Sequence, residues 1–307
     1  MTAAQRRVSY AGAVQPVSTT IGDLLERYDG VLLDAYGVLV DARGLLPGAA
    51  ELITELKRRA KPFAIVTNDA SRSAATYLAR FARMGIEFDD PARIVTSGSL
   101  LPGYFRDRGL AGARTCVLGT EDSLAYVREG GGLPIDIGPG MELDALAVCD
   151  DSGTPFVAGI ELAFSAIVRA VHAGRRPALV LPNPDLVYPK GDDEYGFTAG
   201  AMALLIEAAL ARRFPGANLV FDRLGKPSPH LFAEAQRRLG VQRVVMIGDQ
   251  LETDMAGARA AGISGALLAG VSRWPHTDTE GPATDASDIP EAKAALAPAY
   301  LLATIAP

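Results

Sequence analysis

Four short clusters of polar residues follow apolar stretches of the chain, and their residue types could bind a cation and an anion. Two of the clusters are acidic, one pairs a hydroxyl with an amide, and one contains a lysine. Divalent cations prefer carboxylate oxygens, a carboxylate can also act as a nucleophile, and a lysine can offset the charge of an anion. The clusters are residues 33–39 (LDAYGVL), 66–69 (VTND), 225–227 (GKP) and 247–254 (IGDQLETD).

Taken alone, each cluster has an ordinary structural explanation. An aspartate that follows a strand, such as Asp34, is usually a turn former, and Asp254 could simply favour the positive end of a helix. A Gly-Lys-Pro sequence is usually a loop with a solvated lysine. The occurrence of all four clusters in this order is what indicates a site, because holding a magnesium ion, a phosphate and a nucleophile together requires two acidic clusters and a lysine.

The elements that must position these clusters alternate between strand and helix. Short apolar runs bounded by turn residues are followed by segments with helical spacing, which is typical of stacked βαβ units. The sequence therefore predicts an α/β fold with a parallel sheet, in which the carboxyl ends of the strands converge on one crevice. We expect strands at residues 31–34, 63–67, 93–96, 244–249 and 265–268, and helices at residues 47–59, 71–83 and 252–261.

A second α/β domain is predicted as an insertion into the first. We assign residues 1–110 and 200–307 to a catalytic core and residues 111–199 to an inserted cap, with glycine hinges near 109–112 and 196–200. Within the insertion, glycine and proline become frequent and new strand signals begin. These signals lie at residues 115–119, 146–149 and 178–181.

Two further segments complete the predicted organisation. A helix over residues 201–210 would be apolar on almost every face, so we expect a buried helix where the core resumes. Residues 274–290 are polar and rich in turn formers, which predicts a surface loop.

Composition and charge exclude several classes of protein and partner. The 307 residues are 49% hydrophobic and 21% charged, as expected for a compact globular protein. The net charge of −6 argues against binding of nucleic acid or of an anionic membrane surface. Cys116 and Cys149 are too few for a disulfide framework, and no stretch resembles a membrane helix or a signal peptide. We therefore expect a cytoplasmic location.

The order of the four clusters resembles that of the haloacid dehalogenase superfamily. In that superfamily a nucleophilic aspartate, a serine or threonine, a lysine and a Gly-Asp-x-x-x-x-Asp sequence follow one another. The insertion lies between the second and third clusters, and residues 181–185 (LPNPD) and 225–230 (GKPSPH) resemble the NagD-like or 4-nitrophenylphosphatase-like branch. This resemblance implies a Rossmann-like parallel-sheet core with an inserted α/β cap. Relatives of this branch are often dimers through the cap, so a homodimer is a candidate assembly.

The resemblance also implies a reaction at the two acidic clusters. Asp34 would attack phosphorus and form an aspartyl-phosphate, which water then cleaves. Mg²⁺ would be bound by Asp34, the backbone carbonyl of Tyr36 and Asp249, with Asp254 holding a metal-bound water.

The remaining candidate residues would bind the phosphate and the rest of the substrate. By the resemblance, Lys226 would lie against the nucleophile and the phosphoryl oxygens, and the Thr67 hydroxyl and the Asn68 backbone would complete the phosphate cradle. Asn183 and Asp185 follow a cap strand and are candidates for substrate contacts. The implied substrates are small phosphorylated metabolites such as nucleotides, sugar phosphates or pyridoxal phosphate.

One residue departs from the superfamily pattern. The carboxylate two residues after the nucleophile normally acts as general acid and base, but Tyr36 stands there, and tyrosine is a poor base at neutral pH. Asp41, Asp69 or a cap residue could substitute. The Asp-x-Tyr-Gly sequence also resembles the first cluster of haloacid dehalogenases proper, which attack carbon without a metal. A metal-free dehalogenase and a phospho-ligand-binding module with weakened catalysis therefore remain alternatives to a magnesium phosphatase.

Overall fold

The computed structural model describes residues 16–88, 90–191, 194–269 and 296–307 of the chain. These residues divide into two compact units, one formed by the described residues up to 65 and from 235 onward and the other by the described residues between 66 and 234. The surface loop predicted at residues 274–290 lies outside the described residues.

A parallel sheet forms the centre of the first unit. Its middle strands are buried along their whole length because they are continuous apolar runs, which is the pattern expected where helices cover both faces. Register pairs Val31 with both Phe63 and Val245, so three strands end side by side. Across this unit the strands follow the order Val17–Thr19, Tyr300–Leu302, Ser264–Leu268, Val244–Gly248, Gly30–Leu33 and Phe63–Thr67.

Short helices and a hairpin connect the strands of the first unit. The helix Ile21–Arg27 begins with a capping box, in which the Thr20 hydroxyl accepts from the Asp23 amide and the Asp23 carboxylate accepts from the Thr20 amide. The other elements are the hairpin strands Val40–Asp41 and Gly44–Leu45, the helix Ala49–Arg58, the π-helical turn Leu251–Met255 and the helix Ala256–Ala260. The helix Pro229–Leu239 contains the boundary between the two units.

A second parallel sheet lies in the second unit. Its strand order is Asp222–Arg223, Ala178–Leu181, Ala145–Val148, Arg114–Leu118 and Leu133–Pro134. The unit also contains the strand Ile94–Thr96 and the antiparallel pair Val187–Pro189 and Tyr195–Phe197. Its helices include Ala74–Arg83, Leu101–Asp107, Glu121–Glu129, Phe156–His172 and Ala199–Arg213.

The helix Ala199–Arg213 packs into the hydrophobic core of the second sheet. Its buried residues Met202 and Ile206 join a cluster that includes Leu146 and Leu181 of the strands. The sequence shows that this helix is apolar but not which sheet it covers, and its packing differs from the expectation that it lies where the first core resumes. The predicted boundaries of the core at 110 and 200 and of the cap at 111 and 199 stay predictions.

The predicted α/β class with a parallel-sheet core is confirmed. Every strand expected around the four clusters is present, with ends that differ from prediction by at most one residue, which is within the usual uncertainty of element boundaries. Among the helices of the described ranges, none has both the length and the hydropathy to cross a bilayer.

Candidate active site

Asp34 lies where a central strand of the first sheet ends. Its amide donates to the carbonyl of Ile247 at 2.9 Å, which ties it to the end of the neighbouring strand. The Asp34 carboxylate accepts from the Ala35 amide at 2.7 Å, and the residue is only 6% exposed. A buried carboxylate is therefore held in a defined place by backbone groups.

The turn after Asp34 brings the two acidic clusters of the first unit together. The Ala35 carbonyl accepts from the amides of Leu39 and Val40, and the Gly37 amide donates to the Val40 carbonyl, so the turn closes tightly. Gly37 has φ of +91°, a conformation that favours glycine. A Cβ on Gly37 would lie 2.5 Å from the carboxylate carbon of Asp249. Only a glycine therefore allows this close approach.

Gly248 is the second glycine that leaves room for an acidic side chain, in this case Asp254. The strand Val244–Gly248 ends next to Asp249, and the π-helical turn that follows returns Asp254 to the strand end. A Cβ on Gly248 would lie 2.5 Å from Oδ2 of Asp254. The same carboxylate accepts from the Gln250 amide at 3.2 Å and is fully buried.

Asp34, Asp249 and Asp254 offer one carboxylate oxygen each, and these three atoms lie within 4.8 Å of one another. Carboxylates at this separation repel one another, and a divalent cation between them would offset the repulsion. The donor set consists of hard oxygen ligands, which suit Mg²⁺ or Ca²⁺ and not a soft metal. The residues of this cluster therefore fit the predicted metal.

The candidate residues of the second unit form another group. Oδ1 of Asn68 accepts from the Lys226 amide at 2.6 Å, and Nδ2 donates to the Lys226 carbonyl at 3.1 Å and to Oδ1 of Asp185 at 2.9 Å. Lys226 is 3% exposed and Asn68 5%. One amide side chain thus connects the third cluster to the loop that carries Asp185.

The Asn183 side chain makes hydrogen bonds that hold the loop containing Asp185. Its Oδ1 accepts from the Asp185 amide at 3.1 Å, and its Nδ2 donates to the Thr198 hydroxyl at 3.3 Å. Thr67, at the end of its strand, accepts from the Asp69 amide at 3.3 Å. The predicted roles of Asn183, Asp185 and Thr67 in binding substrate stay predictions.

The two acids named as substitutes for the general base already have partners. The Asp69 carboxylate accepts from the Ser71 hydroxyl, the Arg72 guanidinium and the Tyr77 hydroxyl, at 2.6 to 2.8 Å. Burial raises the pKa of Tyr77 well above its usual value, and the Asp69 charge adds to this, so Tyr77 remains a donor. The Asp41 carboxylate accepts two backbone amides of its own hairpin turn.

Sequence reasoning missed the residues that hold the acids and the lysine in place. Gly248 directly precedes Asp249, and Gly37 lies three positions after Asp34. Both glycines belong to the predicted clusters, so their closeness to the acids in sequence was a signal for this role. Ser97, whose hydroxyl donates to the Asn68 carbonyl at 2.6 Å, gave no signal because it belongs to a distant segment.

Comparisons with known proteins identify the family of the chain. Residues 31–132 match the family model of haloacid dehalogenase-like hydrolases, and residues 223–300 match a second model of HAD-like hydrolases. Mouse chronophin is 31% identical over 261 residues, which cover 81% of this chain and 84% of that protein. The chain belongs to the haloacid dehalogenase-like hydrolases. The resemblance inferred from the four clusters is thereby confirmed, and the chain is a hydrolase of the phosphatase type.

Solved structures of the family show the same fold. A possible sugar phosphatase from Cytophaga hutchinsonii aligns with a TM-score of 0.76 and 26% identity, covering 95% of this chain and 99% of that one. The glycerol phosphate phosphatase from Mycobacterium tuberculosis, solved in complex with magnesium, aligns with a TM-score of 0.67 and 25% identity, covering 80% of this chain and 68% of that one.

Proposed function

We propose that this phosphatase is magnesium-dependent and hydrolyses small phosphorylated metabolites through an aspartyl-phosphate on Asp34. The observation that carries this proposal is the convergence of three carboxylates within 4.8 Å, on residues 34, 249 and 254. These residues come from opposite ends of the chain, and two glycines leave room for them. Carboxylates at this separation repel one another, and a bound divalent cation would offset that repulsion.

The proposed reaction proceeds in two steps at Asp34. An oxygen of the Asp34 carboxylate forms a bond to phosphorus while the bond from phosphorus to the ester oxygen breaks, and the ester oxygen leaves as a hydroxyl once it is protonated. Water then attacks the phosphorus of the aspartyl-phosphate, which releases inorganic phosphate and restores Asp34. Mg²⁺ on Asp34, Asp249, Asp254 and the Tyr36 carbonyl would supply the positive charge that offsets repulsion between carboxylate and phosphate.

The second group of residues is proposed to bind the phosphate. The resemblance assigns the Lys226 ammonium, the Thr67 hydroxyl and the backbone of Asn68 to the phosphoryl oxygens. Removing one donor of this kind from a developing charge typically costs about 3 kcal/mol of transition-state stabilisation. Burial of the Lys226 residue supports this role, because a buried ammonium needs anionic or polar partners.

Tyr36 determines which substrates turn over well. An ester with a poor leaving group needs a proton donor at its oxygen, and tyrosine replaces the usual carboxylic acid at that position. Positioned acid and base catalysis contributes about 10²- to 10⁴-fold, so we expect aryl phosphates to react much faster than alkyl phosphates.

Release of inorganic phosphate tests the proposal. We expect magnesium-dependent release from sugar phosphates, glycerol phosphate or an aryl phosphate, and its loss in Asp34→Asn. Asp107→Asn is the matched control, because Asp107 is exposed at the end of a helix of the second unit. Equal activity in a chelator, or full activity of Asp34→Asn, would contradict the proposal.

The alternatives give different results in the same assay. A dehalogenase would release halide from 2-haloacids in the presence of a chelator. A binding module would bind phosphorylated ligands but release no phosphate from any of them.

A further inference from the structure

The side chain of Asn68 makes three hydrogen bonds within the second unit's candidate site. Its Oδ1 accepts from the Lys226 amide, and its Nδ2 donates both to the Lys226 carbonyl and to Oδ1 of Asp185. The backbone carbonyl of Asn68 accepts from the buried Ser97 hydroxyl. The Asn68 side chain therefore binds both the backbone amide and the backbone carbonyl of Lys226.

An amide is the side chain that matches these three partners. Lys226 offers one donor and one acceptor, and Asp185 offers an acceptor, so the residue between them must both accept and donate. A carboxylate of the same shape could accept from the Lys226 amide but would place an oxygen against the other two oxygens. The acceptor oxygen of Asp185 also fixes which way the Asn68 amide is turned.

The neighbouring backbone leaves Lys226 little freedom. The Gly225 amide donates to the Pro182 carbonyl at 3.0 Å, and a Cβ on Gly225 would lie 2.5 Å from Oδ1 of Asn68. Pro182 and Asp185 belong to one loop that follows the strand Ala178–Leu181. This loop thus contacts the lysine segment directly through Pro182 and indirectly through Asn68.

We infer that the Asn68 side chain is a positioning residue for the phosphatase reaction, turned by Asp185 so that it holds Lys226 against the phosphate. The inference rests on the proposed function, because it takes Lys226 as the cation that neutralises the phosphate. Asp185 acts through Asn68 and does not need to touch the substrate. A displacement of about 1 Å in such a group can reduce the rate about 10²-fold.

Exchanging the two side chains tests the inference. Asn68→Asp removes the donor while keeping the shape, and we expect kcat to fall about 10²-fold with a matching loss of affinity for inorganic phosphate. In the double variant Asn68→Asp with Asp185→Asn, the amide introduced at position 185 can donate to the carboxylate introduced at position 68. The contact between these two positions is restored with reversed polarity, while the bond to the Lys226 carbonyl stays lost, so the recovery is partial. We expect both kcat and the affinity for inorganic phosphate to be at least tenfold higher in the double variant than in Asn68→Asp alone.

The controls separate charge and folding from positioning. Asn218→Asp adds the same charge at an exposed residue of the same unit, where φ is +49°, a conformation that aspartate tolerates; it should leave both readouts unchanged. The double variant has the net charge of the wild type. Asp185→Asn alone keeps an acceptor for Asn68 and should lose less than tenfold.

Three results would overturn the inference: a wild-type kcat and phosphate affinity in Asn68→Asp, a double variant no better than Asn68→Asp, or a loss of 10²-fold or more in Asp185→Asn alone. The last result would place Asp185 in direct contact with the substrate. Failure of the proposed function is distinguishable, because it would appear as absent phosphate release by the wild type. The affinity for inorganic phosphate, measured by calorimetry, would still decide the positioning role.

Discussion

Gly37→Ala is the substitution that most directly tests the acidic site. The new methyl group would lie 2.5 Å from the carboxylate carbon of Asp249, whereas ordinary contacts begin at 3.4 Å. The Asp249 carboxylate must therefore retreat by at least about 0.9 Å or turn away, because its Oδ2 lies nearer still to the new methyl group and the turn is closed by the bond from the Gly37 amide to the Val40 carbonyl. Either movement separates one of the three carboxylates from the other two.

Two effects add in this variant and can be measured separately. The φ of +91° at Gly37 is strained for alanine, at about 1 to 3 kcal/mol of folding stability. Displacement of a ligand by close to 1 Å should lower kcat about 10²-fold, which corresponds to about 2.8 kcal/mol. Disturbing the support of a metal ligand typically weakens metal affinity about 10- to 100-fold.

Gly85→Ala provides the matched control. Gly85 has φ of +89°, nearly the value at Gly37, and a Cβ there would meet nothing within 4 Å. Both variants should lose similar stability in denaturant titrations, but only Gly37→Ala should lose Mg²⁺ affinity in calorimetry and activity at low Mg²⁺. If both variants bind Mg²⁺ as tightly as the wild type, Asp249 is not a metal ligand and the proposed site is wrong.

Three further predictions concern other residues of the chain. Tyr36→Asp should speed hydrolysis of esters with poor leaving groups, by up to about 10²- to 10⁴-fold, and an unchanged rate would mean that another group already supplies the proton. Asp254→Asn should weaken Mg²⁺ binding with little effect on phosphate affinity, whereas Lys226→Ala should do the reverse, and equal losses in both variants would contradict these roles. Burial raises the pKa of Cys116 and of Cys149 to about 12, so at pH 8 both stay protonated; a thiol reagent should label neither in the folded protein and both in denaturant.

The positions of the catalytic candidates could be predicted from sequence because they follow strand ends. Apolar runs before Asp34 and Asp249 identified two parallel strands, and parallel strands present their carboxyl ends on the same edge of a sheet. The register between Leu33 and Ile247 brings the two acids together as that rule requires. The spacing of Asp249 and Asp254 then needed only one helical turn to return the second acid to the site.

The contacts that support the site could not be predicted in the same way. Asn68 and Asp185 are 117 positions apart, and neither the periodicity of the chain nor its turns specifies that one side chain donates to the other. The partner of the helix Ala199–Arg213 escaped prediction for a related reason. An apolar helix shows that it is buried but carries no information about which sheet buries it.

The described residues also divide the proposed chemistry between the two units. The three carboxylates that fit a metal all belong to the first unit, and their approach depends on glycines of that unit. The lysine, the amide and the loop carboxylate proposed for phosphate binding and positioning all belong to the second unit and are connected by hydrogen bonds within it. Each group is held by contacts within its own unit, so we expect substitutions in one group to change metal affinity and substitutions in the other to change phosphate affinity. In the proposed reaction catalysis needs both groups, because Asp34 would attack the transferred phosphate while Lys226 offsets its charge.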